Sequence, residues 1–205
     1  MARRKLTILL SGMVAADLHH GGATWVVLQY ALGFKRLGHD VYVVEPLAAE
    51  SMEPEGTTLA RSHNARYFQH VVEDFGLDGS ALLLAGTDET VGASRADVRS
   101  LARDADVLFN INGILGEPDL LEASSTPIYL DIDAGFNQLW HATQGIDRGF
   151  AGHTLHVTIG QGIGESWSPV PTCGIRWIKT VQPVVLEHWP VADRIVHDAL
   201  TTVGN

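Results

Sequence analysis

Apolar residues in this chain fall into short unbroken runs, separated by stretches in which they recur every three or four positions. Leu6-Thr7-Ile8-Leu9-Leu10 is the first run, closed by Ser11-Gly12, as in a strand buried on both faces. A loop from Met13 to Gly22 follows. From Ala23 onward, Val27, Tyr30, Ala31 and Phe34 share one helical face, and Gly38 stands where a left-handed residue would end the helix. Val41 to Val44 form a second run, stopped by Glu45-Pro46. Strand, loop, helix and strand in this order make a βαβ unit, whose right-handed crossover sets the two strands parallel.

The alternation continues. Phe68, Val71, Val72 and Phe75 mark a helix ended by Gly76, and Ala81 to Leu84 a short strand. Ser94 and Asp97 have the spacing of a capping box, opening a helix with Val98, Leu101, Ala102 and Ala105 on one face. Strands are predicted at Val107–Phe109, Ile128–Leu130 and Leu155–Ile159. The expected fold is α/β: a three-layer, Rossmann-like domain over residues 1–180, with a mainly parallel sheet and the first strand central. Pro169, Pro171, Pro183 and Pro190 then change the texture of the chain. Residues 181–205 are expected to form a linker and the start of a further, C-terminal lobe, with the reading frame continuing past Asn205.

Composition narrows the function. The 205 residues are 45% hydrophobic and 19% charged, with a formal net charge of −10, which argues against a disordered chain and against a sequence-independent nucleic-acid binder. No window reaches the ~18 apolar residues of a membrane span. Arg3-Arg4-Lys5 before the first apolar run is superficially like a secretory signal, but the run is short and reads as a strand. A single cysteine, Cys173, allows no internal disulfide and favours a cytoplasmic setting. Between Arg103 and Arg148 there is no Lys or Arg but there are eight acids. Loops of this segment at strand carboxyl ends, where α/β sheets bind ligands, would favour hydroxyl-rich or cationic partners.

Candidate chemistry centres on the loop after the first strand. His19 and His20 can supply a general base of near-neutral pKa. Gly21-Gly22 ahead of a helix would let backbone N–H groups approach an anion, or would merely shape a turn. Neither G-x-G-x-x-G nor G-x-x-x-x-G-K-[ST] occurs here. A second constellation is Asp131 and Asp133, which share a side if the chain is extended, with His141 nearby. It reads as a sugar-hydroxyl or histidine-orienting group, a divalent-metal pair, or a structural turn. Asn110 and Asn112, after the strand at Val107, suit either hydroxyl recognition or a turn. His153, His156, His188 and Cys173 read as structural.

The opening strand, the glycine-pair loop, and Leu37-Gly38-His39-Asp40-Val41 leading into the second strand together resemble the N-terminal lobe of GT-B glycosyltransferases. The resemblance implies sugar transfer from a nucleotide-sugar co-substrate to a hydroxyl-bearing acceptor, with no metal or other cofactor. It also implies a partner C-terminal lobe that binds most of the donor. Inverting members place a catalytic histidine after the first strand, here His19 or His20, with Asp131 as the aspartate to orient it. Retaining members place a glycine pair there, matching Gly21-Gly22. Asn110, Asn112, Asp133 and His141 would complete the substrate site. Two other readings stand beside it. Asp17-x-His19-x-x-Gly22 is similar to the cobalt-ligating loop of cobalamin-binding flavodoxin-like domains, and an NAD-type Rossmann oxidoreductase is the third.

Overall fold

An uninterrupted apolar run is satisfied only where both faces of a strand are covered. The computed structural model describes residues 4–18, 20–191, 193 and 194, and it places the first run at the middle of the sheet. Strand β1 (Thr7–Ser11) sends Ile8 and Leu10 into one hydrophobic core and Leu9 into a second, the two-residue alternation of extended backbone. Along the chain follow α1 (Gly21–Arg36), β2 (Asp40–Leu47), α2 (His63–Asp74), β3 (Ala81–Leu84), β4 (Thr90–Gly92) and α3 (Arg95–Asp104). Then come β5 (Val107–Ile111), α4 (Pro118–Ala123), β6 (Pro127–Asp131), α5 (Phe136–Gln144), β7 (Leu155–Thr158) and β8 (Trp177–Lys179).

The sheet runs β4-β3-β2-β1-β5-β6-β7-β8, and every neighbouring pair is parallel except β3 and β4. Helices α1 and α2 cover one face through Val27, Leu28, Ala31, Ala65, Phe68 and Val71. Helices α3 and α4 cover the other through Val98, Ala102 and Leu120. The fold is therefore a three-layer Rossmann-like α/β domain. The Ser94–Asp97 capping box forms as the spacing predicts, and Gly38 adopts φ +92° after α1. Elements that the apolar pattern does not announce are β4, α4, α5 and β8. Strand β4 is three residues long, and Gly92 in it has φ +92° with no room for a side chain against the Ser80 carbonyl.

Strand order reverses at β1. The chain moves from β1 outward through β2 and β3, then returns to β5 on the other side. Such a switch point leaves a crevice at the carboxyl ends of the two central strands, where open α/β sheets bind ligands. Within the segment assigned to a linker by its prolines, residues 185–189 lie along α1. Val185 is buried, and its N–H donates to the Gln29 side chain. Glu187 pairs with Arg36 at 2.7 Å. The ring of Trp25 meets Phe75, His188 and Trp189, at centroid distances of 5.6, 5.9 and 5.2 Å. Residues 195–205, where a further lobe is expected to start, lie outside the described residues. No helix among the described residues is long and apolar enough to cross a membrane.

Candidate functional site

At the switch point the loops after β1, β5 and β6 converge on a cavity of about 270 Å³, lined by Met13, Gly22, Val27, Ile111, Asn112 and Asp133 among others. Three of the residues singled out from sequence, Gly22, Asn112 and Asp133, therefore share one wall-to-wall space. Asn112 is held in the left-handed region at φ +53°, a conformation Asn tolerates better than most residues. Its Nδ2 donates to Asp133 Oδ2 at 2.7 Å. Its Oδ1 accepts from the Ile132 N–H at 3.0 Å and from Asn137 Nδ2 at 3.1 Å. One amide side chain thus ties the β5 and β6 loops together, while exposed Asp133 keeps its other oxygen without a partner among the described residues.

Asn110, Asp131 and His141 are not brought to this cavity. Asn110 is one residue before Ile111, so the alternation of β5 turns it to the opposite face. There it is fully buried, bonding the Leu115 backbone and the His153 ring. Asp131 ends β6 and is also fully buried. Its Oδ1 accepts from Asn137 Nδ2 at 2.8 Å, and its Oδ2 from Gln138 Nε2 at 2.8 Å and Thr158 Oγ1 at 2.7 Å. Both oxygens are engaged, and among the described residues no histidine bonds them, so its place is to anchor the start of α5. The strand stops at Asp131, which is why Asp131 and Asp133 do not share a side as two residues of an extended chain would. His141 packs its ring on Phe150 at 4.7 Å. Most of the acids of the 104–147 segment are likewise absorbed: Glu117 and Asp119 pair with Arg95 at 2.5 and 3.2 Å, and Asp106 pairs with Arg4.

The loop from β1 to α1 is held from below by a residue that sequence reading treated only as a strand end. Glu45 is fully buried in β2. Its carboxyl group accepts from the Ala15 N–H at 2.8 Å and from the Ala16 N–H at 2.7 Å. Burial pushes this carboxyl up to about 7, against the N–H groups of Ala15, Ala16 and Val14, which favour the charged form. The alternation of β2 was the available signal: Glu45 shares a face with buried Val43 and Leu47. Above it, His20 Nδ1 pairs with Asp17 Oδ2 at 2.5 Å, both side chains remaining well exposed. His19 lies outside the described residues.

Helix α1 starts without a capping side chain and with no acid in its first turn. Gly21 and Gly22 have no positive φ, and a Cβ added at either would meet nothing within 4 Å among the described residues. Local conformation therefore does not require glycine here. The pair keeps the end of α1 open toward whatever lies in front of it. Gly21→Ala and Gly22→Ala are expected to fold and to raise stability by about 0.5 kcal/mol each in urea unfolding. A loss of stability would assign the pair to the fold instead.

On the far side of the helix start, a groove of about 750 Å³ runs between α1 and α2, and Gly21, Trp25, His63, Arg66, Tyr67 and His70 are among its lining residues. The sequence signal for it is the spacing of His63, Arg66 and His70 on one helical face of α2, which the apolar positions of that helix do not disclose. Among the described residues no group of three or more His, Cys, Asp or Glu could hold a metal ion. No protein-family model and no curated protein matches this chain.

Proposed function

We propose that the chain is the N-terminal, acceptor-side lobe of a GT-B-type glycosyltransferase, acting on a nucleotide sugar and a hydroxyl-bearing acceptor at the β1/β5 crevice. The observation that carries the reading is the convergence of the β1, β5 and β6 loops on one cavity beside an unobstructed glycine pair. Asn112 and Asp133 there offer hydrogen bonds suited to hydroxyl groups. The exposed Asp17–His20 pair on the β1–α1 loop would supply the chemistry. Asp17 holds Nδ1, and Nε2 would take the acceptor's proton while the acceptor oxygen bonds to the anomeric carbon. The bond from that carbon to the nucleoside diphosphate breaks in the same step. Direct displacement of this kind inverts configuration, and Asp17 takes the orienting role that the resemblance gave to Asp131. Gly21 and Gly22 N–H groups would face the departing diphosphate, with further positive charge supplied by a C-terminal lobe.

The dinucleotide reading has less support. Glu45 stands on β2 near the place where such folds present an acid to ribose, but here it is buried and bound to loop backbone. The cobalamin reading turns on His19, outside the described residues. The test uses the full natural chain and follows nucleoside diphosphate release from a panel of nucleotide sugars. His20→Ala is expected to lower release at least about 100-fold with unchanged circular dichroism, and His19→Ala to leave it nearly unaltered. Full activity in both variants removes the histidine mechanism. The 205-residue chain alone should bind these donors weakly, with amide shifts at Met13, Gly22 and Asn112; no shift and no release from any donor would sink the transferase reading.

A further inference from the structure

The groove between α1 and α2 is the largest cavity described above, and the proposed chemistry makes no use of it. Its composition is specific. Trp25, Tyr67 and Phe75 contribute aromatic rings, and Leu18, Leu28 and Val71 aliphatic ones' worth of apolar wall. His63, Arg66 and His70 stand along the α2 side, all three exposed. In a chain of net charge −10, this is a local concentration of positive and hydrogen-bond-donating groups. Arg66 forms no ion pair among the described residues, and neither does His63 or His70. Among the described residues the one acid lining the groove is Asp74, at the far end of α2, one turn past His70 and eleven residues, about 16 Å of helix, from His63.

Topology adds direction to that charge. Helices α1 and α2 both follow strands that run the same way in the sheet and both pack on the same face. Their N-termini therefore lie together at the carboxyl edge, and the positive ends of two helix dipoles meet the Gly21–His63 end of the groove. The polar pair inside is fixed as well. Thr24 gives its only hydroxyl proton to the Val14 carbonyl at 2.9 Å, so Tyr67 Oη must donate across the 3.1 Å contact to Thr24. That leaves Tyr67 an acceptor toward any ligand, and leaves Arg66 and the histidines as the donors to it.

We infer that this groove binds a planar aromatic anion, its rings between Trp25 and Tyr67 and its carboxylate, sulfonate or phosphate at Arg66 and His63. A volume of about 750 Å³ is in the range of pockets that enclose a molecule of two to four fused rings. Aromatic walls favour a flat body over an acyl chain, and the guanidinium suits an oxyanion by paired N–H donation. The proposed transfer takes place at the β1/β5 crevice, so binding in this groove is measured without any transfer and stands or falls separately.

The experiment titrates the isotopically labelled 205-residue chain with 1-naphthyl phosphate, 1-naphthol, dodecanoate and inorganic phosphate, following the Trp25 indole N–H and the Leu28 and Val71 methyl groups by NMR. Naphthyl phosphate should shift these signals and bind at least tenfold tighter than naphthol, while inorganic phosphate alone leaves them unmoved. Arg66→Gln, an exposed substitution, should bring naphthyl phosphate down to the affinity of naphthol. Equal binding of naphthyl phosphate and naphthol, or no effect of Arg66→Gln, overturns the anion assignment. Tighter binding of dodecanoate overturns the aromatic one, and the absence of any shift overturns the site. None of these outcomes depends on nucleoside diphosphate release, so failure here and failure of the transferase reading are told apart.

Discussion

Asp131→Ala should cost the domain at least about 3 kcal/mol of folding stability, a large share of the roughly 5–15 kcal/mol that single domains possess. The carboxylate accepts from Asn137, Gln138 and Thr158 in a fully buried setting. Its removal strands three buried donors, each worth about 1–3 kcal/mol when left unpaired. Asn137 also reaches Asn112, so the damage spreads to the β5 loop and the crevice. Asp131→Asn keeps one acceptor oxygen and is expected to lose roughly half as much. Urea unfolding followed by tryptophan fluorescence measures both. A stable, well-folded Asp131→Ala protein that had merely lost activity would restore Asp131 to the chemistry.

Glu45 should make the domain less stable as pH rises from about 5 to about 7. Its carboxyl is pushed up to about 7 by burial, from an ordinary value of 4.5. Across that window the folded state holds a proton that the unfolded chain has released, so stability falls with increasing pH. The full effect is about 3 kcal/mol, present below pH 4.5 and gone above pH 7. Glu45→Gln keeps an oxygen for the Ala15 and Ala16 N–H groups and cannot titrate. Subtracting its stability curve from that of the unaltered protein isolates the carboxyl from every histidine in the chain. A difference that is flat between pH 5 and 7, or that grows in favour of Glu45 as pH rises, would contradict this picture. Loss of the same proton is expected to tighten the loop that carries Asp17 and His20, because the charged carboxylate is the stronger acceptor for the Ala15 and Ala16 N–H groups within it.

What the sequence discloses depends on how local the controlling physics is. Strand β1, helix α1 and strand β2 were legible because burial on both faces writes a continuous apolar run, and burial on one helical face writes a three- to four-residue rhythm. The Ser94–Asp97 box was legible because its two partners are three residues apart. The surroundings of Asp131 were not legible, for the opposite reason. Its partners Gln138 and Thr158 arrive from α5 and β7, and only the assembled sheet shows that both oxygens are engaged. Asn112 and Asn110 look alike in sequence, yet Asn110 lies within β5 and turns to the His153 side, while Asn112 lies just past the strand, in a left-handed conformation at the crevice. Glu45 carries the same lesson in reverse: an acid inside an apolar strand is meaningful, but its donors lie thirty residues earlier.

The contact of residues 185–189 with α1 has a mechanical consequence. Val185 is bound to Gln29, Glu187 to Arg36, and Trp189 lies against Trp25, so this short stretch is tethered at three points along a single helix. Trp25 is at once a wall of the α1–α2 groove and the bearing surface for His188 and Trp189. A force that displaces the chain at Trp189 is thus delivered to the ring that a ligand in the groove would touch, within one van der Waals contact. A ligand in the groove and a pull on the chain at Trp189 would therefore act on the same indole.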